Sequence, residues 1–151
     1  MRGVMKDVDP QDCIKFATEN PVCFVATTDG DQPRVRALAL WFANENGFYF
    51  AILSPKQVCR QLKVNPKVEV CFYNNPSDLM QAKQMRVTGK VEPVDDQELQ
   101  EKAAGEGAFL EQLTGKPLGH LWEVFRIHSG EACFWTLADT LKEPELERIR
   151  F

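Results

Sequence analysis

The sequence predicts a small antiparallel Greek-key β-barrel with peripheral helices, in the mainly β, α+β class. Three observations carry that reading. Strand-favouring stretches are separated by Asp29-Gly30 and Asn46-Gly47, dipeptides that suit tight hairpin turns. Helical periodicity appears only in short blocks between those stretches. The 151 residues, 44% of them hydrophobic, suit a single domain spanning 1–151. A chain of that size buries roughly two-thirds of its unfolded surface.

Each element has a local cause. Asp9 is a good N-cap and Pro10 a good first residue for a helix through about Glu19, which Asn20-Pro21 ends. Pro21 to Thr28 reads as a strand, turned at Asp29-Gly30 into a long return strand from Pro33 to Ala43. Asn46-Gly47 leads into a strand over Phe48–Ile52. Ser54 then offers an N-cap hydroxyl and Pro55 a first helical residue. The helix that follows shows an apolar face of Val58, Cys59 and Leu62 and stops at Asn65-Pro66. Lys67–Tyr73 alternates as a strand, and Asn74–Asp78 is a polar turn. Met85–Val94 is a strand bent at Gly89, followed by a helix from Asp95-Asp96 to about Ala104. Gly105 and Gly107 break that helix before a short one over Ala108–Leu113. Two last strands, Trp122–Ile127 and Glu131–Thr136, are expected to meet at a Ser129-Gly130 turn. The charged tail from Asp139 shows no core face. Edge strands of such a barrel are often covered by a second copy, which points to a homodimer.

Composition narrows the function. A net charge of −4 argues against nucleic acid or an anionic membrane as partner. No apolar run approaches the roughly 20 residues of a membrane span. The leading residues MRGVMKDVDP lack the apolar core of a signal peptide. Five scattered cysteines, without a C-x-x-C pair, read as small core residues of a reducing cytoplasm. His120 and His128 are not spaced as metal ligands, and no metal site is expected. No P-loop, Rossmann glycine pattern or nucleophile elbow is present. The carboxylates Asp95-Asp96 are explained by helix capping.

What remains is an anion site. A helix N-terminus opens directly after a strand, with Lys56 in its first turn, so free amides, the helix dipole and an ammonium converge. Arg34 and Arg36 share one face of the preceding hairpin, and an arginine fork suits phosphate. Arg34 reads as a solvated charge, whereas Arg36 borders the apolar run Ala37–Phe42. Gln84 offers both a donor and an acceptor to a planar heterocycle, and Trp135 a large apolar face. An exposed amide and a core tryptophan are the plainer readings of those two.

The segments RVRALALWF, GFYFAILSPKQVCRQLKVNPKVEV and QMRVTGKVEPV, with a weaker GEACFW, stand in an order that resembles the pyridoxamine 5′-phosphate oxidase-like, FMN-binding split-barrel superfamily. The resemblance covers Pro21 to Val94. It implies a six-stranded split barrel that dimerises, with FMN at the subunit interface. It assigns the FMN phosphate to Arg36 and Lys56, with Pro55 beside them. The backbone of Arg36, Ala37, Leu38, Ala39 and Leu40 would run along the flavin, and Phe50 and Ala51 would line the ribityl and ring region. Gln84 would hydrogen-bond the isoalloxazine, and Trp135 would close the site from the second subunit. Departures are equally specific. Trp41 stands where the oxidases carry a lysine for substrate phosphate, Pro55 replaces an arginine, and Ala51 replaces a threonine. The Arg-x-His-Asp-Arg motif is missing after Trp135.

The expected function is therefore an FMN-dependent oxidoreductase that does not oxidise pyridoxamine phosphate itself. Trp41 would shape a flat, apolar substrate pocket for a small molecule or electron partner. The rival reading is a non-catalytic protein of the same build that stores flavin, senses redox state or binds haem.

Overall fold

The computed structural model describes residues 8–151. The residues read above for a signal peptide lie mostly outside the described ones, at 1–7. Helix α1 (Pro10–Glu19) starts as expected, with Asp9 and Asp12 each accepting from the other's backbone amide. Eight antiparallel strands follow: β1 (Val22–Asp29), β2 (Gln32–Ala39), β3 (Phe42–Asn44), β4 (Gly47–Leu53), β5 (Lys67–Tyr73), β6 (Lys83–Pro93), β7 (Trp122–Thr136) and β8 (Ile149–Arg150). Helix α2 (Gln57–Val64) links β4 to β5, while α3 (Gln97–Glu106) and α4 (Phe109–Thr114) lie between β6 and β7. The hydrogen-bonded path runs β2-β1-β5-β6-β7-β4-β3, with β8 on β7. Its two ends, β2 and β3, are neighbours in the chain, which makes this a split barrel.

Eight strands replace the expected six for two reasons. The long return strand breaks at Leu40-Trp41, because Leu40 N–H donates to the Pro21 carbonyl on one side and Trp41 N–H to the Tyr49 carbonyl on the other. One strand thus serves both ends of the sheet as β2 and β3. The tail is the second reason. It comes back as β8, buries Ile149 and packs Phe151 edge-on against Phe48, so it does have a core face.

Two other expectations are corrected. Ser129-Gly130 is not a turn but the middle of the continuous strand β7. Gly130 is needed there for close approach, since a Cβ would stand 2.2 Å from the Thr88 carbonyl oxygen. Gly105 does not break α3, which runs on to Glu106 and is closed by Gly107. The bend at Gly89 is present, as a register shift between Gly89 and Val91.

Inward residues of β1, β5, β6 and β7 (Val25, Val70, Phe72, Met85, Val87, Ile127) form the core, sealed at its margins by Phe16 and Ala17 of α1 and by Val58, Cys59 and Leu62 of α2. The cavity between Val25, Leu38, Phe50, Val70 and Ile127 measures about 10 Å³, too little to hold more than a single water. Among the described residues, no helix is long and apolar enough to cross a membrane.

Candidate functional site

The polar centre of the molecule lies where α2 crosses the β1–β2 hairpin. Arg36 on β2 pairs with Val25 on β1 and sends its guanidinium between that hairpin and α2. Its Nη1 donates to the Val25 carbonyl at 3.2 Å and to Thr27 Oγ1 at 2.7 Å. Its Nη2 donates to Gln61 Oε1 at 2.5 Å, and Thr27 Oγ1 donates to that same oxygen at 2.6 Å. Thr27 and Gln61 are 3% and 1% exposed, so this network stands in a low-dielectric setting. Burial first, and the charge of Arg34 second, push the Arg36 guanidinium below its ordinary value.

The contrast with its neighbours is instructive. Arg34 and Arg60 both face Asp29, at 3.6 and 3.4 Å, as exposed ion pairs. Arg36 has only neutral acceptors and no carboxylate among the described residues. A positive charge held half-buried by neutral groups leaves its field available to an outside anion.

Lys56 is exposed at the N-terminus of α2, but not as the sequence suggested. The helix starts at Gln57, with Lys56 itself in the N-cap position and no side-chain cap. Ser54 does not cap it. The Ser54 N–H donates to the Leu121 carbonyl, and Ser54-Pro55 forms a turn closed by Lys56 N–H on the Leu53 carbonyl. The first-turn amides thus lack a side-chain partner, which leaves the positive end of the helix open.

Beside Lys56 runs an open groove of about 330 Å³. The structure brings six expected residues to it: Ala37, Leu38, Ala39, Phe50, Ala51 and Lys56. It adds Val22, Ile52, Leu53, Leu110 and Trp122, which sequence reasoning missed. Arg36, Leu40 and Pro55 are next to the groove in the chain but do not line it. A neighbouring depression of about 250 Å³ shares Trp122 but is lined by Asp95, Asp96 and Glu123 against Lys63, a poor place for an anion.

Trp41 is held by α3. Its indole N–H donates to Glu106 at 2.6 Å, and the Lys102 ammonium lies 6.0 Å from the ring. Gln84 and Trp135 are cross-strand partners on β6 and β7, and Tyr73 of β5 faces Gln84. Cys71 Sγ donates weakly to Gln84 Oε1 at 3.7 Å. None of Trp41, Gln84 and Trp135 lines the groove of its own chain. His128 is mid-strand with Nδ1 2.9 Å from the Asn46 carbonyl, and His120 lies in a short turn. Among the described residues, no group of histidine, cysteine and carboxylate side chains could hold a metal.

Of the residues that were missed, Gln61 left a trace. It is three residues from Val58 and adjoins Leu62, so it is a polar residue on an apolar helix face. Thr27 continues the inward alternation of Cys23 and Val25. Leu110 and Trp122 left none, because the fold brings them in from across the α3–α4 insertion.

Comparison with known proteins bears on the family and the fold. A family model described as pyridoxamine 5′-phosphate oxidase matches residues 10–127. No curated protein matches the chain. Among solved structures, a NimC/NimA family protein from Clostridium acetobutylicum is 26% identical with a TM-score of 0.70, over 93% of this chain and 91% of that one. An FAD-binding protein from Mesorhizobium loti is 20% identical with a TM-score of 0.63, over 84% and 94%. The haem storage protein HutZ from Vibrio cholerae is 21% identical with a TM-score of 0.60, over 84% and 93%. The last two are likenesses of fold alone.

Proposed function

The chain belongs to the pyridoxamine 5′-phosphate oxidase family, and from that premise we propose that it is an FMN-dependent oxidoreductase acting as a homodimer. The observation that carries this reading is Arg36, a guanidinium with only neutral partners among the described residues, bonded to Gln61 of α2, the helix whose N-terminus bears Lys56. That donor set fits a phosphate monoester, which offers three oxygens to a fork, an ammonium and free amides. The adjoining groove is mainly apolar, with Phe50, Ile52, Leu110 and Trp122 in its walls, and so suits a flat ring system. Its lining contains no histidine, cysteine, methionine or tyrosine to ligate a haem iron. Within one chain, the groove thus offers an apolar seat beside a phosphate anchor rather than an iron ligand, which supports flavin over haem.

The flavin, when bound, supplies the hydride or electron chemistry. The chain's own residues bind and orient. Arg36 and Lys56 would anchor the phosphate, and the backbone from Ala37 to Leu40, at the end of β2, would run beside the ring. Phe50 and Ala51 border the groove, with Pro55 in the turn before Lys56. Trp41, with its N–H held by Glu106, walls the substrate side and disfavours a second phosphate there.

Two features support the dimer. Val22, Phe24 and Val35 are 60%, 45% and 70% exposed, and with Ala37 and Ala39 they form one apolar face of the β1–β2 hairpin. Gln84 and Trp135 lie off the groove of their own chain, and in our reading they complete the groove of a second copy. An absorbance spectrum of the purified protein, before and after adding FMN and removing the excess, tests the proposal. Flavin bands near about one FMN per chain are expected, and a flat visible spectrum in both samples would overturn it.

A further inference from the structure

The geometry points to Thr27 and Gln61 as positioning residues that select for the phosphate of the ligand by presenting one edge of Arg36. This deepens the reading of Arg36 as a phosphate ligand and rests on it.

A guanidinium has five N–H donors in a rigid plane. Two parallel bonds, Nη1 to Thr27 Oγ1 and Nη2 to Gln61 Oε1, occupy its outer edge, and the second Nη1 hydrogen goes to the Val25 carbonyl. The Nε–H and the remaining Nη2–H have no partner among the described residues. These two lie side by side on the other edge, the spacing that grips two phosphate oxygens. The clamp is itself tied together, since Thr27 Oγ1 donates to Gln61 Oε1 at 2.6 Å. It is also neutral. A carboxylate in the place of Gln61 would hold the guanidinium equally well but cancel its charge. Gln61 keeps its buried position at a cost, because its Nε2 is buried without a hydrogen-bond partner among the described residues. An apolar residue would remove that cost, so the burial of an amide here is explained by what its oxygen does for Arg36.

The test compares binding of FMN and of riboflavin, which shares the ring and ribityl chain but has no phosphate. Both are titrated by flavin fluorescence into the wild type, Gln61→Glu, Gln61→Met and Thr27→Val, with Arg36→Gln as reference. The expected result is a wild-type preference for FMN that falls at least tenfold in Gln61→Glu and Thr27→Val, while riboflavin affinity stays within about twofold. Thr27→Val keeps the side-chain shape and carries the test if both Gln61 variants fail to fold. Equal losses for both ligands would make Thr27 and Gln61 structural only and overturn the inference. A preference that survives in these variants but is lost in Arg36→Gln would overturn the inference and leave the phosphate reading intact. A wild type without preference would overturn that reading, and the inference with it.

Discussion

Gly107 forms the seat of Trp122: a Cβ at position 107 would stand 2.1 Å from indole Cζ2. The glycine that closes α3 therefore lets the indole lie flat where it also lines the groove. Gly107→Ala must push the indole aside, since neither a helix end nor a large ring yields easily. We expect a loss of about 1–3 kcal/mol, as for overpacking generally, together with a shift in tryptophan emission. Chemical denaturation followed by fluorescence reads both. Unchanged stability would mean that Trp122 is free to move, and that the groove wall is soft.

Removing the anchoring charges separates the phosphate from the ring. Lys56→Ala and Arg36→Gln each delete a charge-assisted contact of the kind worth about 1.5–3 kcal/mol. FMN affinity is expected to fall roughly 10- to 100-fold in either variant. Riboflavin affinity should hardly change. Lys56 is exposed, so Lys56→Ala should leave the melting temperature in place, and an FMN affinity equal to that of the wild type would sink the phosphate assignment.

How far the sequence alone could go depended on whether a local pattern had one physical cause. Asp9 before Pro10 and Asn65 before Pro66 have one, and the helix ends fall where those residues put them. Ser54-Pro55 had two, since the same pair suits a helix start or a turn, and the hydrogen bond from Ser54 to Leu121 decided for the turn. Ser129-Gly130 failed in the same way. Its glycine answers to Thr88 across the sheet, a contact that only tertiary structure creates. The site divides similarly. Residues contiguous along β2 and β4 were legible, whereas Leu110 comes from the α3–α4 insertion and Trp122 from the strand start just after it, whose placement beside β4 no local signal encodes.

The buried thiols predict sensitivity to alkali. Burial pushes Cys23 from 9.0 up to about 12, and Cys13, buried next to Asp12 and Asp9, to about 12 as well. Well below pH 9 both thiols are protonated in the folded and unfolded chains alike, so they contribute no pH dependence there. Between pH 9 and about 12 the unfolded chain loses these protons while the fold retains them, and stability falls as pH rises. The melting temperature should therefore decline by several degrees from pH 9 to pH 11. Cys23→Ala should flatten that decline, and an equally steep curve in the variant would assign it to other groups.

The last prediction follows from where Gln84 and Trp135 lie. They face each other across β6 and β7, while the groove beside Lys56 is lined without them. If a second copy supplies them, a defect in Lys56 and a defect in Trp135 damage different halves of each site. Lys56→Ala and Trp135→Ala homodimers should each bind FMN weakly. Mixed by unfolding and refolding together, they should form heterodimers in which one site carries both defects and the other carries neither. Random pairing makes half the dimers mixed, so roughly a quarter of all sites should regain wild-type FMN affinity. A site built within one chain could not be rescued, because every groove would keep its own defect. Recovery of tight FMN binding in the mixture therefore reports the shared architecture directly, and its absence in dimers that demonstrably exchange would place Gln84 and Trp135 outside the site.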